Sequence, residues 1–159
     1  NRAFDAALAQ LVVHFMADPV AGLAEMRRVT RRGGVVAACV WDYGGGRGPL
    51  GVFWEAARAV RPGANNESEL AGTREGHLAG LLEAAGLAEV VPSELAVSID
   101  HPTFDTWWEP FTLGAGPAGA FVAGLSADDR EALRAECRRR LGEGPIRVSA
   151  VAWAARGVA

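Results

Sequence analysis

His14 is the side chain of this sequence best suited to proton transfer, because an imidazole titrates near neutral pH. It stands between Val13 and Phe15, where an apolar run that begins at Phe4 comes to its end. A histidine in that position is either a general base at the exit of a strand or a ring packed among apolar neighbours. The sequence leaves both interpretations open, and His14 is the candidate catalytic residue.

Trp41 and Asp42 are candidate substrate contacts. They end a second apolar run, Val35 to Trp41, and open α/β sheets bind ligands beyond the carboxyl ends of their strands. Asp42 either contacts a substrate or caps the loop that follows, since a carboxylate can accept hydrogen bonds from nearby backbone amides.

A glycine-rich segment after Asp42 fits the G-x-G-x-x-G pattern of dinucleotide-binding loops, with Gly46, Gly48 and Gly51 as its glycines. Such a loop holds a pyrophosphate with backbone amides at a helix N-terminus. It defines one alternative function, an NAD(P)-dependent oxidoreductase. Pro49 removes one of those amides, however, and no strand with an acidic end follows the next helix. A loop beside a binding site is the favoured interpretation.

The composition is typical of a soluble globular protein, with 50% hydrophobic and 22% charged residues. The net charge of -3 predicts no nucleic-acid partner, and the absence of a long apolar run predicts no membrane span. Cys39 and Cys137 are the only cysteines, so neither a disulfide framework nor a zinc site is expected. A reducing, cytoplasmic location follows as an expectation.

The residues from Phe4 to Asp42 predict a β-α-β unit, the building block of a parallel sheet. Phe4–Phe15 is expected to be a buried strand that runs into a loop. Asp18 caps the next helix with Pro19 at its first position, and Gly33-Gly34 provides its left-handed exit. The strand Val35–Trp41 is continuously apolar, which indicates cover on both faces.

The remaining elements follow from helical spacing, capping residues and turn residues. A helical spacing of aromatic residues predicts a short amphipathic helix over Thr103–Phe111, which Pro110 ends early or kinks. The other predicted elements are a helix at Leu50–Val60, a helix at Arg74–Ala85 capped by Thr73, two extended runs at Leu87–Val91 and Leu95–Ile99 separated at Pro92, a helix at Ala127–Leu141 capped by Ser126, and a strand at Ile146–Ala155.

Several short motifs follow one another in a specific order and spacing. They are Phe4-Asp5-Ala6-Ala7, Gln10-Leu11, Asp18-Pro19, Glu25-Met26-Arg27-Arg28-Val29, Arg32-Gly33-Gly34, Val40-Trp41-Asp42, Ala84-Ala85-Gly86-Leu87, Trp107-Trp108 and Val151 to Gly157. Together they resemble the class I S-adenosylmethionine-dependent methyltransferases, and most closely their small-molecule "type 11" group. The resemblance implies that the opening segment contains strands four and five of the family's sheet and the helix between them. Arg32 stands where the family usually has proline.

The resemblance implies S-adenosylmethionine as the cofactor, with Gln10 and Leu11 beside its methionine and methyl group. It also implies that Trp107 and Trp108 can cover a substrate pocket for an apolar or flat acceptor. Aromatic residues at helical spacing are otherwise ordinary core residues, and that alternative stays open. The expected function is transfer of a methyl group to a small-molecule acceptor.

The sequence departs from the family at its beginning. The glycine-rich loop after strand one, the ribose-binding acid and the strand-three contacts to adenine have no counterpart. The expected fold is therefore α/β, a Rossmann-like three-layer sandwich with helices on both faces. Its partial methyltransferase sheet would hold strands four to seven, the last of them antiparallel. Residues 1–159 would be the C-terminal part of one domain, with an inserted cap segment at about 100–142.

Strand four would then be an apolar edge, at Leu8 to Val13, and such edges invite pairing with another chain. A homo-oligomer, or pairing with another polypeptide through this strand, is expected. The chain by itself could then be a poor catalyst, and a second functional alternative is a non-catalytic accessory or dimerisation half-fold.

Overall fold

The computed structural model describes residues 3–64 and 67–159 of the chain. Asn65 and Asn66, which follow the predicted helix Leu50–Val60, lie outside the described residues, as do Asn1 and Arg2 at the start of the chain. The expectation of a single domain with a cap segment stays a prediction. By internal contacts the chain divides into two compact units, a first one made of Asn1–Pro49, Glu67–Val97 and Ala150–Ala159, and a second one made of Leu50–Asn66 and Ser98–Ser149.

Strands and helices alternate along the first part of the chain, as the sequence predicts. The described elements are β1 (Phe4–Gln10), α1 (Pro19–Val29), β2 (Thr30–Trp41), α2 (Gly51–Val60), α3 (His77–Ala84), β3 (Ala88–His101), α4 (Phe104–Trp108), α5 (Gly116–Ala123), α6 (Ala127–Leu141) and β4 (Ile146–Val158), with short 3-10 turns at Val13–Phe15, Glu67–Glu69 and Glu109–Leu113.

The described strands form a mixed four-stranded sheet in the order β1-β2-β4-β3. β1 and β2 are parallel, with Ala6 opposite Val35 and Gln10 opposite Cys39. β4 runs antiparallel to β2. The predicted β-α-β unit and the antiparallel last strand are therefore confirmed, and β1 lies at the edge, as expected of it.

β1 is not the buried strand that its apolar sequence suggests. Within it only Ala9 is buried, whereas Phe4 and Leu8 are mostly exposed. In the described sheet β1 pairs with β2 alone, and α1 packs against it. The prediction of a buried strand is wrong because hydrophobicity does not reveal which strand ends a sheet.

The helix α1 begins as predicted and ends early. The Asp18 carboxylate accepts a hydrogen bond from the Ala21 amide at 2.8 Å, and Pro19 is the first helical residue. The helix stops at Val29, because Thr30 adopts an extended conformation and β2 starts directly. The predicted Gly33-Gly34 exit is wrong, since both glycines lie within β2. Gly34 is needed there for close packing, since a Cβ would lie 2.6 Å from the Asp5 carbonyl oxygen.

The core of the first unit lies between the sheet and two helices. Leu23 of α1 and Leu78 and Leu82 of α3 pack against alternate residues of β2, among them Val36 and Val40. The residues between them in β2 are only half-buried. The alternation shows that one face of β2 is covered completely and the other in part.

Two boundaries in the first unit differ from the prediction. The helix predicted from Arg74 starts at His77, and its N-cap is Gly76. The Thr73 hydroxyl instead donates to the carbonyl oxygens of Ser68 and Leu70, so it stabilises the preceding turn. Pro92 does not divide β3, because this strand lies at the sheet edge, where a missing amide is tolerated.

The second unit has an aromatic core. Phe53 of α2 stacks on Phe111 with ring centroids 4.5 Å apart, and Phe104, Trp107 and Trp108 are buried in the same cluster. The predicted amphipathic helix is confirmed as α4, which gives way to a 3-10 turn at Glu109–Leu113 that includes Pro110. The Ser126 cap of α6 is confirmed too.

Across residues 3–64 and 67–159, none of the helices has both the length and the apolar character that crossing a membrane would require.

Candidate active site

Asp42, the predicted substrate contact at the end of β2, is a buried carboxylate with both oxygens engaged. It is 1% exposed. Its Oδ1 accepts a hydrogen bond from the Gly45 amide at 2.7 Å, and its Oδ2 accepts one from Arg47 Nε at 2.6 Å. The sequence left open whether Asp42 contacts a substrate or caps the following loop, and these hydrogen bonds are the ones expected of a loop cap.

Arg47 connects Asp42 to a neighbouring acid. Its Nη2 donates to Glu94 Oε1 at 2.7 Å, and its guanidinium carbon lies 4.9 Å from the ring centroid of Trp153. The hydrogen bonds to Glu94 and Asp42 raise the pKa of Arg47 above its usual value. The sequence analysis missed Arg47, Glu94 and Trp153, because they come from a loop and two strands that are distant in the chain.

A cavity of about 550 Å³ opens at this ion-paired group. Its size lies in the range of small-molecule sites. Charged side chains and backbone predominate in its walls, so a polar ligand suits it better than an apolar one. We call it the Asp42 cavity; it is lined by Asp42, Gly44, Gly45, Arg47, Arg74, Glu75, Glu94 and Trp153.

The first four amides of the glycine-rich loop after Tyr43 are not free to bind a phosphate. The Gly44 amide donates to the Thr73 carbonyl at 2.9 Å, and the Arg47 amide donates to the Asp42 carbonyl at 2.9 Å. Between them, the Gly45 amide is bound to the Asp42 carboxylate and the Gly46 amide to the Tyr43 carbonyl. Four consecutive donors are thus used within the first unit, which argues against the dinucleotide alternative.

His14 lies in the 3-10 turn that follows β1 and is 6% exposed. Its ring centroid is 3.9 Å from that of Phe15 and 6.2 Å from that of Tyr43. Burial lowers the pKa of His14 below its ordinary value, so the ring is neutral at neutral pH. Its Nδ1 is buried without a hydrogen-bond partner in the described part of the chain.

Tyr43 follows the end of β2, and its ring centroid lies 6.2 Å from that of His14, which follows β1. Its hydroxyl shares a hydrogen bond with the buried Glu67. Burial raises the pKa of Tyr43, and the neighbouring Glu67 raises it further. Gly48 permits this packing, since a Cβ there would lie 2.5 Å from the Tyr43 ring. The phenol therefore stays protonated and donates to the Glu67 carboxylate.

Gln10 and Leu11, the predicted cofactor contacts, lie at the carboxyl end of β1. The Gln10 side chain is exposed. Leu11 has a positive φ of 57°, and its amide donates to the Cys39 carbonyl at 2.9 Å. This conformation is unusual for a residue with a Cβ and ends the strand sharply.

A second cavity, of about 440 Å³, crosses the face of the sheet next to Gln10. Its lining is mostly apolar and comes from all four strands. We call it the sheet groove; it is lined by Leu8, Ala9, Gln10, Ala37, Ala38, Cys39, Val91, Ser93, Leu95, Ala154, Ala155 and Arg156.

The predicted site residues fall into two groups. Gln10, Leu11, His14, Trp41 and Asp42 all belong to the first unit, at the carboxyl ends of the parallel strands β1 and β2. Trp41 is half-buried there and pairs with β4.

Trp107 and Trp108, the other two, are buried core residues of the second unit. They pack as ordinary core residues, which is one of the two interpretations that the sequence left open. Their role as substrate contacts stays a prediction. No group of three or more His, Cys, Asp and Glu residues in the described ranges could hold a metal ion.

The sequence model of a family described as "Methyltransferase domain" matches residues 1–38. These residues include most of the motifs from Phe4 to Asp42, so the resemblance to the class I methyltransferases is confirmed there. No curated protein sequence matches the chain.

Solved structures that are similar to the chain include the following three, each aligned over at least 99% of the residues of this chain. The YcgJ protein from Bacillus subtilis has a TM-score of 0.52 at 14% identity, over 99% of this chain and 64% of its own. A candidate methyltransferase from Bacillus halodurans C-125 has a TM-score of 0.48 at 13% identity, over 100% and 66%. The [4+2]-cyclase SpnF has a TM-score of 0.42 at 19% identity, over 99% and 50%.

The similarity to YcgJ, with its TM-score of 0.52, concerns the fold. The expected Rossmann-like α/β class, with a mixed sheet flanked by helices, is thereby confirmed. The chain spans about two thirds or less of the length of each of these structures.

Proposed function

We propose that this chain takes part in the transfer of a methyl group from S-adenosylmethionine to a polar small-molecule acceptor. The observation that carries the proposal is that Gln10, His14 and the Asp42 cavity all lie at the carboxyl ends of two neighbouring parallel strands. Gln10 and His14 fall within residues 1–38, the segment that matches the methyltransferase family model. Fold alone does not set function, so the proposal depends on these side chains.

The residues at this edge fit one end of the cofactor. The exposed amide of Gln10 can bond the amino-acid end of S-adenosylmethionine, and Leu11 offers apolar contact beside it. No residue is proposed to bind the ribose end, because the family's ribose-binding acid has no counterpart in this sequence and the Asp42 carboxylate has both oxygens bound. When bound, the cofactor supplies an electrophilic methyl group.

The acceptor is proposed to occupy the Asp42 cavity. Asp42 holds Arg47, and Arg47 in turn binds Glu94 and covers the ring of Trp153. A guanidinium fixed in this way has N–H groups beyond the two that these bonds use. They can orient an oxygen of the acceptor, which is why a polar acceptor is proposed instead of the apolar one expected from the tryptophans.

His14 is proposed as the proton acceptor. A neutral imidazole with an unbound Nδ1 has the chemistry to take a proton from a hydroxyl or amine as the acceptor is methylated. His14 does not line the Asp42 cavity and its Nδ1 is buried, so this role requires the acceptor to reach the ring from that cavity. Tyr43, whose proton is held towards Glu67, would not compete for that role.

Calorimetric titration tests this proposal. We expect the chain to bind S-adenosylmethionine and S-adenosylhomocysteine, and Gln10→Ala to weaken both. Ser93→Ala is the matched control, because Ser93 is a polar residue of the sheet groove on β3, at the opposite edge of the sheet. Binding of NAD without any response to the sulfonium ligand would contradict the proposal and favour the oxidoreductase.

A non-catalytic accessory chain is the second candidate function. Stable self-association with no binding of any of these ligands would support it.

A further inference from the structure

One wall of the Asp42 cavity is formed by a turn, residues 72–76, whose backbone is held in place by hydrogen bonds. Thr73 is completely buried, and its hydroxyl donates to two carbonyl oxygens of the preceding turn at 2.9 and 2.8 Å. The Gly72 amide donates to His77 Nδ1 at 3.2 Å. Arg74 and Glu75, the two residues of this turn that line the cavity, therefore start from a fixed backbone.

Gly44 of the glycine-rich loop allows the loop to pack directly against this turn. Its amide donates to the Thr73 carbonyl oxygen at 2.9 Å. A Cβ on Gly44 would lie 2.9 Å from that same oxygen and would overlap the side chain of Arg74. Loop and turn both belong to the first unit, and together they form a preformed wall, as is usual for small-molecule sites.

The charges of this wall are paired, with the exception of Glu75. Arg47 is bonded to two carboxylates of the wall, and Arg74 forms an ion pair with Glu69. Glu75 is exposed and has neither a hydrogen bond nor an ion pair in the described part of the chain. Three carboxylates and two guanidinium groups line the cavity, which leaves an excess of one negative charge.

We propose that the acceptor bound in the Asp42 cavity is a hydroxylated amine, which enters as an ammonium ion. The inference rests on the proposed function, since it names the class of acceptor for the same site. Glu75 binds the ammonium group, and the N–H groups of Arg47 that are not used by its two ion pairs bind a hydroxyl oxygen. An anionic acceptor would instead meet the excess negative charge at Glu75.

Methylation of such an acceptor takes place at its nitrogen. The ammonium group first gives one proton to a base, for which His14 is the candidate proposed above. The nitrogen lone pair then forms the new N–C bond, while the S–C bond of the methyl donor breaks and its electron pair stays on sulfur. The positive charge passes from sulfur to nitrogen, and S-adenosylhomocysteine leaves as a thioether. Because the methylated amine is again a cation, Glu75 binds the product as well.

Two-dimensional NMR titration of the isotope-labelled full chain tests the inference, with glucosamine as the amine and glucose as its uncharged analogue. The two sugars differ in one substituent, an ammonium group in place of a hydroxyl group. We expect glucosamine to shift the amide signals of Gly44, Gly45 and Glu75. Its affinity should exceed that of glucose by about three- to fivefold, as for an ion pair near the surface. High salt should remove the difference.

Substitutions at two neighbouring residues should change the affinity for glucosamine in opposite directions. Glu75→Gln removes the unpaired charge and should reduce the affinity to that for glucose. Arg74→Gln removes a positive charge and releases Glu69, so it should raise the affinity. Glu83→Gln is the matched control, because Glu83 is an exposed acid near the far end of α3 that does not line the cavity. All three residues are exposed, and the same spectra report whether each variant is folded.

Two outcomes would overturn the inference. One is equal affinity for glucosamine and glucose, or no binding of either sugar, both with and without S-adenosylhomocysteine. The other is a Glu75→Gln variant that binds glucosamine as tightly as the Glu83→Gln control.

The titration with S-adenosylmethionine and S-adenosylhomocysteine distinguishes this failure from failure of the proposed function. Binding of these two ligands without a preference for glucosamine contradicts the class of acceptor alone. A preference for glucosamine that depends on Glu75, without binding of either ligand, contradicts the methyl transfer and leaves the cavity as a site for amines.

Discussion

Asp42 and Arg47 are joined twice, by a hydrogen bond of 2.6 Å from Arg47 Nε to Asp42 Oδ2 and by one of 2.9 Å from the Arg47 amide to the Asp42 carbonyl oxygen. The two bonds close the glycine-rich loop on itself. The end of β2 is thereby fixed, and the guanidinium is held at the wall of the Asp42 cavity. The predictions below follow from this arrangement and from the buried groups beside it.

Removing the charge of Asp42 should destabilise the protein. Asp42→Asn takes a charged acceptor away from Arg47 and should lower the free energy of unfolding by about 1–3 kcal/mol. Urea denaturation measures the change. Asp5→Asn is the control, because it removes the charge from an exposed ion pair with Arg31 and should change stability little. Equal effects of the two substitutions would show that burial of Asp42 does not matter.

Replacing Gly45 of the glycine-rich loop by alanine should lower the stability of the protein, whereas replacing Gly80 of helix α3 should not. Gly45→Ala places a Cβ within 3.0 Å of both Asp42 carboxylate oxygens, so it should destabilise by about 1–3 kcal/mol. Gly80, in α3, has open space around it, and Gly80→Ala should stabilise by about 1 kcal/mol. Thermal and urea unfolding of the two variants measure these changes in stability. A Gly45→Ala variant as stable as the unchanged chain would contradict the close packing of Gly45 against Asp42.

The burial of His14 predicts a pH-dependent stability. Because burial lowers its pKa in the folded state, the unfolded chain binds the proton more readily. Stability is therefore fully present above the unfolded value, about 6.5, and falls as the pH drops from there towards the lowered pKa. Urea midpoints between pH 8 and pH 5 measure this.

A substitution tests whether His14 causes the loss of stability at low pH. His14→Gln should flatten the pH dependence below about 6.5, whereas His101→Gln, in the second unit, serves as the control. Parallel pH profiles of the unchanged chain and His14→Gln would contradict the assignment.

Tyr43 should resist ionisation, and it can be observed without interference because it is the only tyrosine. Burial and Glu67 raise its pKa, so the tyrosinate absorbance near 295 nm should not appear at the ordinary value of about 10 while the chain is folded. In concentrated urea the titration should return to that value. Ionisation near pH 10 in the folded chain would refute the burial of Tyr43.

A double-mutant cycle tests the bond between Tyr43 and Glu67. Tyr43→Phe and Glu67→Gln are combined, and their coupling should be about 0.5–3 kcal/mol, as for groups in direct contact. Strictly additive free energies of unfolding would show that the two side chains do not share a hydrogen bond.

The sequence was informative wherever a local rule governs the structure. Asp18 and Pro19 specify the start of α1, Ser126 specifies the start of α6, and the spacing of the aromatic residues specifies α4. Each of these features depends on residues within a few positions of one another. The motifs from Phe4 to Asp42 indicated the class of fold for the same reason, since their order and spacing are properties of the chain.

Only the tertiary structure decided what those residues contact. Asp42 caps the loop because the Gly45 amide and the Arg47 side chain donate hydrogen bonds to its carboxylate. The exposure of β1 depends on the sheet order. The wall of the Asp42 cavity combines a loop with Glu94 and Trp153, whose separation in sequence hides them from any local pattern. Contacts between distant segments depend on how strands and helices pack, and periodicity and capping carry no information about that packing.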